Sequence, residues 1–210
     1  MQPTTITQLS ELDLNGTYTY ADYLLWQVQE RLELIKGHIF KMSPAPNLEH
    51  QRASSRLHGY LFQFLHGKTC QIFSAPFDVR LYDKKKRNPK KDDLHILTVV
   101  QPDICVVCDA KKLDRRGCLG APDLVIEILS PATAQKDLNE KYFLYEENGV
   151  REYWIVQPGS GTVTVFDLNE TTNKYQLRKI YAPNDKVPVG IFAPECEIDL
   201  NEVFGDIENW

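Results

Sequence analysis

A carboxylate lies in the middle of an apolar, strand-like segment of the chain. The run Asp123–Leu129 reads DLVIEIL, and its content of Val, Ile and Leu predicts a buried β-strand. An ionised carboxylate inside such a strand costs on the order of several kcal/mol unless a cation, hydrogen bonds or a metal ion compensate for it. Glu127 therefore needs a partner of positive charge.

Two further residues are candidates for the same site. Asp103 follows Pro102 and precedes a second strand-like run, Ile104–Val107, and Lys141 lies in a predicted helix that follows the Glu127 strand. If the two strands are neighbours in a sheet, Asp103 and Glu127 converge on one cation, because hard divalent ions such as Mg²⁺ prefer carboxylates and waters. Two acids and a lysine in this order favour a metal-dependent phosphodiesterase site.

On the predicted helix, Lys141 lies on a stripe with apolar and aromatic residues, an unusual place for a lysine without a partner. Lys141 and Asp103 also have simpler interpretations. Asp137 is four residues before Lys141, so a surface ion pair would also explain both. Asp103 would equally suit the start of a turn after Pro102.

The pattern of predicted elements indicates an α/β (α+β) fold. A helix over 18–28 and a hairpin of strands 32–35 and 38–42 come first, and Asn47 caps a long helix that ends near Leu65. The unit of strand 123–129, helix 134–148 and strand 152–157 predicts a parallel crossover. We expect one domain over residues 1–210, a mixed β-sheet flanked by helices with extra β-hairpins.

Composition limits the classes of function. The chain has 210 residues, and no run of about 18 apolar residues or signal peptide is evident, so we expect a cytoplasmic protein without a membrane partner. The net charge of −5 argues against a protein that coats nucleic acid, although a nuclease needs only a local basic surface. One basic cluster is a candidate for contacts with the nucleic-acid backbone, or else a solvated loop: Lys84, Lys85, Lys86 and Arg87.

The five cysteines do not indicate a metal site. Cys105 and Cys108 form a CxxC, but their odd spacing in a strand sends the two side chains to opposite faces. No second CxxC or spaced pair of histidines accompanies them. We expect reduced cysteines in the core.

Several segments together resemble one family, Uma2, also called DUF820. These are bacterial proteins, abundant in cyanobacteria, of the restriction-endonuclease-like PD-(D/E)xK nuclease superfamily. The resemblance covers about residues 20–200 and rests on the following segments: Glu33–Gly37, Met42–Pro44, His50-Gln51, Pro102-Asp103, Gly120–Pro131, Asp137, Lys141, Tyr145 and Gly149–Val156. It implies a restriction-endonuclease-like core.

The resemblance also implies roles for residues. Asp103 and Glu127 match the acids that hold the catalytic metal, Mg²⁺ or Mn²⁺. The usual lysine two residues after the second acid is absent, because position 129 is Leu, and Lys141 looks like a migrated replacement. Glu33 matches an early acid that supports the metal. Asp123 also follows a proline and competes with Asp103 for the place of the first acid; Asp103 is favoured, and Asp123 is then a neighbouring group or a further ligand. From its place near the start of the long helix, His50 is a phosphate contact, a base or a histidine satisfied in the core.

Three hypotheses for function follow from these observations. The first is a metal-dependent endonuclease that hydrolyses DNA phosphodiester bonds. The second is a catalytically inactive nuclease-fold module that binds DNA or a protein partner, which Leu129 favours. The third is an interaction protein, for instance a homodimer, in which terminal residues such as Phe204 and Trp210 form the interface unless they pack in the core.

Overall fold

A computed structural model describes residues 5–42, 47–82, 92–130 and 134–205, without the side chains of residues 134–139. The basic cluster at 84–87, the side chain of Asp137 and Trp210 therefore lie outside the described residues. Within the described ranges the α-helices are α1 (Tyr20–Tyr23), α2 (Leu48–Leu65), α3 (Ala134–Asn148) and α4 (Leu200–Phe204). None of the described helices is long and apolar enough to span a bilayer.

The described strands form two larger sheets and one small hairpin. The strands of the first half are β1 (Leu32–Ile35), β2 (His38–Lys41), β3 (Gln71–Ser74), β4 (Val79–Leu81), β5 (Thr98–Val100), β6 (Ile104–Val107), β7 (Leu113–Asp114) and β8 (Gly117–Leu119). The strands of the second half are β9 (Leu124–Ile128), β10 (Glu152–Gln157), β11 (Thr162–Asn169), β12 (Lys174–Tyr181), β13 (Lys186–Pro188) and β14 (Glu197–Asp199).

The first sheet has the strand order β2-β1-β5-β4-β8-β7. Its β1–β2 hairpin pairs Glu33 with Phe40 across the ladder, as the sequence predicts. Lys36 and Gly37 form the two-residue turn with φ of 52° and 87°, a conformation whose twist matches that of the flanking strands. This sheet is mixed, because β4 and β8 run parallel.

The second sheet has the order β12-β11-β10-β9-β6-β3. β9 and β10 are parallel and are joined by α3, which confirms the predicted crossover. β6 runs antiparallel to β9 with Ile104 opposite Ile126, so the two strands that flank the candidate acids are indeed neighbours. The sequence predicts one mixed sheet with hairpins, whereas the described strands divide into two mixed sheets.

The two faces of the second sheet pack against different partners. Alternate side chains of β9, including Leu124 and Ile126, join α2 and the C-terminal segment in one core cluster. Val125 on the other face joins residues of the first sheet and Tyr145 of α3 in a second cluster. Because side chains alternate along a strand, Glu127 lies on the face that carries Val125, between the two sheets and α3.

Helix α1 is much shorter than the predicted helix over 18–28. Thr19 caps it, since its side chain accepts a hydrogen bond from the Asp22 N–H and the Asp22 carboxylate accepts one from the Thr19 N–H. The chain then turns away, because the Gln27 N–H donates to the Ile6 carbonyl at 2.7 Å. Pairing with the N-terminal segment replaces the continuation of the helix.

The cysteines differ in part from expectation. Cys105 and Cys108 do point to opposite faces, since they belong to the two different core clusters. The expectation of reduced cysteines is wrong for Cys108, which forms a disulfide with Cys70. The antiparallel pairing of Gln71 with Val107 brings these two thiols together across β3 and β6. Three cysteines are free and buried, namely Cys105, Cys118 and Cys196.

Candidate active site

The candidate acids meet where the chain passes from the first sheet to the second. β5 ends at Val100, and the connector 101–103 leads directly into β6. Since Ile104 lies opposite Ile126, the next antiparallel pair brings Asp103 opposite Glu127. The Ile128 N–H donates a hydrogen bond to Oδ2 of Asp103 at 2.8 Å, which fixes this carboxylate beside the end of β9.

Lys141 lies between two carboxylates. Its Nζ is 3.1 Å from Oε1 of Glu127 and 3.1 Å from Oε1 of Glu33, and the Lys141 residue is only 8% exposed. A surface ion pair therefore does not describe this lysine. Burial opposes the charged amine, but the attraction of Glu127 and Glu33 outweighs it and raises the pKa of Lys141, which remains protonated.

Tyr145 also holds Glu127. It lies one helical turn after Lys141, and its hydroxyl donates to Oε1 of Glu127 at 2.6 Å. Burial and then the nearby Glu127 carboxylate raise the pKa of Tyr145 well above its ordinary value, so the phenol keeps its proton and acts as a donor. One oxygen of Glu127 thus accepts hydrogen bonds from two groups of α3.

The site holds more negative than positive charge. Burial raises the pKa of Glu127 to about 7; Lys141 opposes this shift, and the carboxylates of Asp103 and Glu33 add to it. Glu33 and Glu127 thus share one buried ammonium, and Asp103 adds a third carboxyl group beside Glu127. The excess of negative charge is a condition that a divalent cation would relieve.

His50 lies on the other side of Asp103. It belongs to the first turn of α2, which begins after Asn47, and the Asn47 side chain accepts a hydrogen bond from the His50 N–H at 2.9 Å. The imidazole Nε2 is 3.3 Å from Oδ2 of Asp103. Nδ1 of His50 is buried without a hydrogen-bond partner in the part of the chain that the structure describes.

Gln101 connects the site with its surroundings. Its backbone N–H donates to Oε1 of Glu33 at 2.8 Å, while its side-chain Nε2 donates to Oδ1 of Asp78 at 2.9 Å. Its side-chain Oε1 accepts a hydrogen bond from Nη2 of Arg31 at 3.0 Å. The connector that carries Asp103 is therefore tied to Glu33 and to an exposed arginine.

The structure does not bring Asp123 to this group. Asp123 and Glu127 share a face of β9, as the sequence predicts, but four residues of strand separate them by roughly 13 Å. Oδ2 of Asp123 accepts a hydrogen bond from the Cys108 N–H at 2.8 Å, and Oδ1 lies 3.6 Å from Nη1 of Arg151. Asp123 therefore holds together the opposite end of the second sheet.

The donor set of the site fits a small divalent cation. Among the described residues the side-chain contacts of Asp103 go to Oδ2 and those of Glu127 go to Oε1, so Oδ1 and Oε2 could take a cation. Across the described ranges no group of three or more acidic, His or Cys side chains forms a ready ion cage. Two carboxylates and several waters are the ligands that Mg²⁺ commonly takes in proteins.

Sequence reasoning and structure thus overlap at most of the candidate positions. The residues brought together are Glu33, His50, Asp103, Glu127 and Lys141. Their roles stay predictions. The sequence reasoning gave no role to three participants, and two of them carried a signal. Tyr145, which lies within the resemblance, follows Lys141 by four residues on one helix face, and Arg31 lies two residues before Glu33, just ahead of β1. Gln101 gave none, since it contacts Glu33 through its backbone.

A solved structure shares the fold of this chain. A crystal structure described as "a putative nuclease belonging to DUF820", from Anabaena variabilis, superposes with a TM-score of 0.66 and 21% identity over 90% of this chain and 98% of that one. At this identity the likeness shows the fold. Mixed sheets flanked by helices agree with the predicted class.

The sequence profile of a family covers most of the chain. Residues 20–201 match Uma2, whose description is "Putative restriction endonuclease", and the chain belongs to this family. It is also 25% identical over 182 residues to the "Uncharacterized protein slr1290" of Synechocystis, covering 85% of this chain and 88% of that relative. The family match confirms the resemblance read from the sequence.

Proposed function

We propose that this protein is an endonuclease that hydrolyses DNA phosphodiester bonds with Mg²⁺ or Mn²⁺. The observation that carries the proposal is the placement of Asp103 opposite Glu127, each with one carboxylate oxygen that has no partner in the described part of the chain. Buried Lys141 beside this pair and membership of the Uma2 family support it. A bound divalent ion supplies charge for the phosphate and lowers the pKa of a water.

The remaining residues hold the two acids in place. Lys141 reduces the repulsion between Glu127 and Glu33, and Tyr145 orients the Glu127 carboxylate. His50 contacts Asp103 from α2. Hydrolysis adds water across one P–O ester bond: the water oxygen bonds to phosphorus, the ester oxygen leaves, and the proton released by the water ends on the leaving oxygen or in solvent.

The direct test is cleavage of supercoiled plasmid with Mn²⁺. We expect nicking by the wild type and at least a 100-fold lower rate for Glu127→Gln and Asp103→Asn. Loss of a metal ligand removes roughly 3 kcal/mol or more of transition-state stabilisation. Glu146→Gln is the matched control. Glu146 is a buried carboxylate of α3, the helix that carries Lys141, and its side chain contacts Lys174. Equal nicking by all variants would point to a contaminant or a wrong site.

A second candidate is a module that binds DNA or a protein without cleaving. Leu129 favours it, since the usual lysine position is apolar and packs against the core cluster between the sheets. Such a module would bind DNA equally well with EDTA and in the Asp103→Asn variant. Of the two residues suggested for a homodimer interface, Phe204 is buried in the core and Trp210 lies outside the described residues. Light scattering tests for a dimer directly.

A further inference from the structure

Arg31 lies near the candidate active site but has no role in the proposed binding of the metal. It immediately precedes β1, two residues before Glu33, and its side chain is exposed. The Met42 N–H donates to its carbonyl at 3.0 Å, which holds the Arg31 backbone against the end of β2. The arginine therefore stands on a paired strand end beside the candidate active site.

The guanidinium of Arg31 is oriented but largely unused. Nη2 donates to Oε1 of Gln101 at 3.0 Å, and Gln101 is itself fixed through Asp78 at 2.9 Å. The backbone of the same Gln101 donates to Glu33, so a short chain of hydrogen bonds joins the guanidinium to the site. A guanidinium has five N–H donors. Among the described residues one of them has a hydrogen-bond partner, and the side chain is exposed.

The charge of the site creates a need for such a group. Lys141 is buried and committed to Glu33 and Glu127, so its ammonium is not free to bind a substrate phosphate. Asp103 adds a further carboxyl group beside Glu127. The proposed metal would meet the phosphate that is cleaved, whereas a neighbouring backbone phosphate requires a cation outside the Lys141 ion pairs.

We infer that Arg31, oriented by Gln101, binds a backbone phosphate of DNA next to the phosphodiester that is cleaved. Arginine suits this role because its planar fork donates two parallel hydrogen bonds to phosphate oxygens. The inference rests on the proposed nuclease function and extends it to substrate binding. A phosphate contact positions the strand and carries no sequence information.

The test measures DNA binding apart from cleavage. A fluorescent duplex is titrated in Ca²⁺, a cation chosen to suppress turnover, at several salt concentrations with wild type, Arg31→Ala and Arg31→Lys. We expect Arg31→Ala to weaken binding about tenfold and to lower the slope of log K against log salt by about 1. Arg31→Lys keeps the charge and restores most of the slope, but it loses the paired hydrogen bonds and part of the affinity.

Arg151→Ala is the matched control. Arg151 is also exposed, but it lies beside Asp123 at the opposite end of β9, and its removal leaves the slope unchanged. The inference is overturned if the salt slope of Arg31→Ala equals that of the wild type, or if Arg151→Ala loses as much affinity as Arg31→Ala. In either case, plasmid nicking by the wild type would still support the proposed function. A wild type that neither binds nor nicks DNA overturns both.

Discussion

The Tyr145 hydroxyl donates a hydrogen bond to Oε1 of Glu127 at 2.6 Å, the same oxygen that Lys141 contacts at 3.1 Å. Two side chains on one face of α3 therefore restrain one carboxylate of β9. Because both bind Oε1, Oε2 has no protein partner among the described residues, and it is the oxygen that the proposed metal would take. The helix thus determines the orientation of the candidate ligand.

Removing this hydroxyl changes activity through Glu127. Tyr145→Phe should lower the nicking rate about tenfold and destabilise the fold by about 1–2 kcal/mol, since a buried hydrogen bond to a charged group is lost. The hydrogen bond favours the ionised carboxylate, so the pKa of Glu127 rises further and the pH midpoint of activity moves upward. Rate against pH measures both effects. Tyr142→Phe serves as control, and an unchanged midpoint in Tyr145→Phe would contradict this account.

Metal affinity should depend on pH around neutrality. The pKa of Glu127 is raised to about 7 by burial, so below that pH the carboxyl holds a proton that a metal must displace. We expect Mn²⁺ to bind about tenfold more tightly at pH 8 than at pH 6 by calorimetry. Affinity independent of pH over this range would show that Glu127 is ionised throughout.

The same shift affects stability when no metal is bound. The folded chain holds a proton on Glu127 that the unfolded chain releases near pH 4.5, so this carboxyl destabilises the fold as pH rises from 4.5 through 7. In EDTA, the free energy of unfolding of the wild type should fall across this range relative to Glu127→Gln. Urea titrations at pH 5 and 8 measure the difference, and equal pH dependence of the two proteins would count against it.

Lys141 should stabilise the fold as well as the site. Lys141→Met leaves Glu33 and Glu127 buried without their cation, which costs about 3–5 kcal/mol in comparable buried pairs. Urea unfolding measures this loss. The double variant Lys141→Met with Glu33→Gln should recover part of the stability, because one unpaired charge disappears. Strictly additive losses in the double variant would show that the three groups do not interact.

Asp123 and Asp103 should respond differently to the same substitution. Asp123→Asn should keep the nicking rate within about twofold and cost about 1–2 kcal/mol of stability, since among the described residues its carboxylate contacts the Cys108 N–H and Arg151 and not the site. Asp103→Asn should lose activity with its fold intact, as judged by circular dichroism. Inactivity of both variants at full stability would place Asp123 in the site after all.

The sequence predicted the elements that depend on local signals. The Lys36-Gly37 hairpin, the helix after Asn47 and the crossover from β9 to β10 are confirmed, since turn geometry, caps and hydrophobic periodicity are readable over a few residues. The pairing of β6 with β9 was stated only as a condition. It follows from long-range sheet order, which a local pattern does not contain.

What could not be predicted depends on distant contacts. The end of α1 is set by Ile6, about twenty residues away along the chain, and Cys70 meets Cys108 only because β3 pairs with β6. For the site, strand periodicity placed Asp123 and Glu127 on one face, but it could not predict the hydrogen-bond partners of each carboxylate. Gln101 contacts Glu33 through its backbone N–H, and the type of a residue does not predict a backbone contact.

The position of Glu33, Asp103, Glu127 and Lys141 on four separate elements has a consequence for biosynthesis. β1 emerges from the ribosome early, but its glutamate meets Lys141 only after α3 has been made and has packed between the two sheets. A nascent or truncated chain that stops before α3 lacks the ammonium that holds the acids together. The assembly of the centre is thus delayed until most of the polypeptide has been translated.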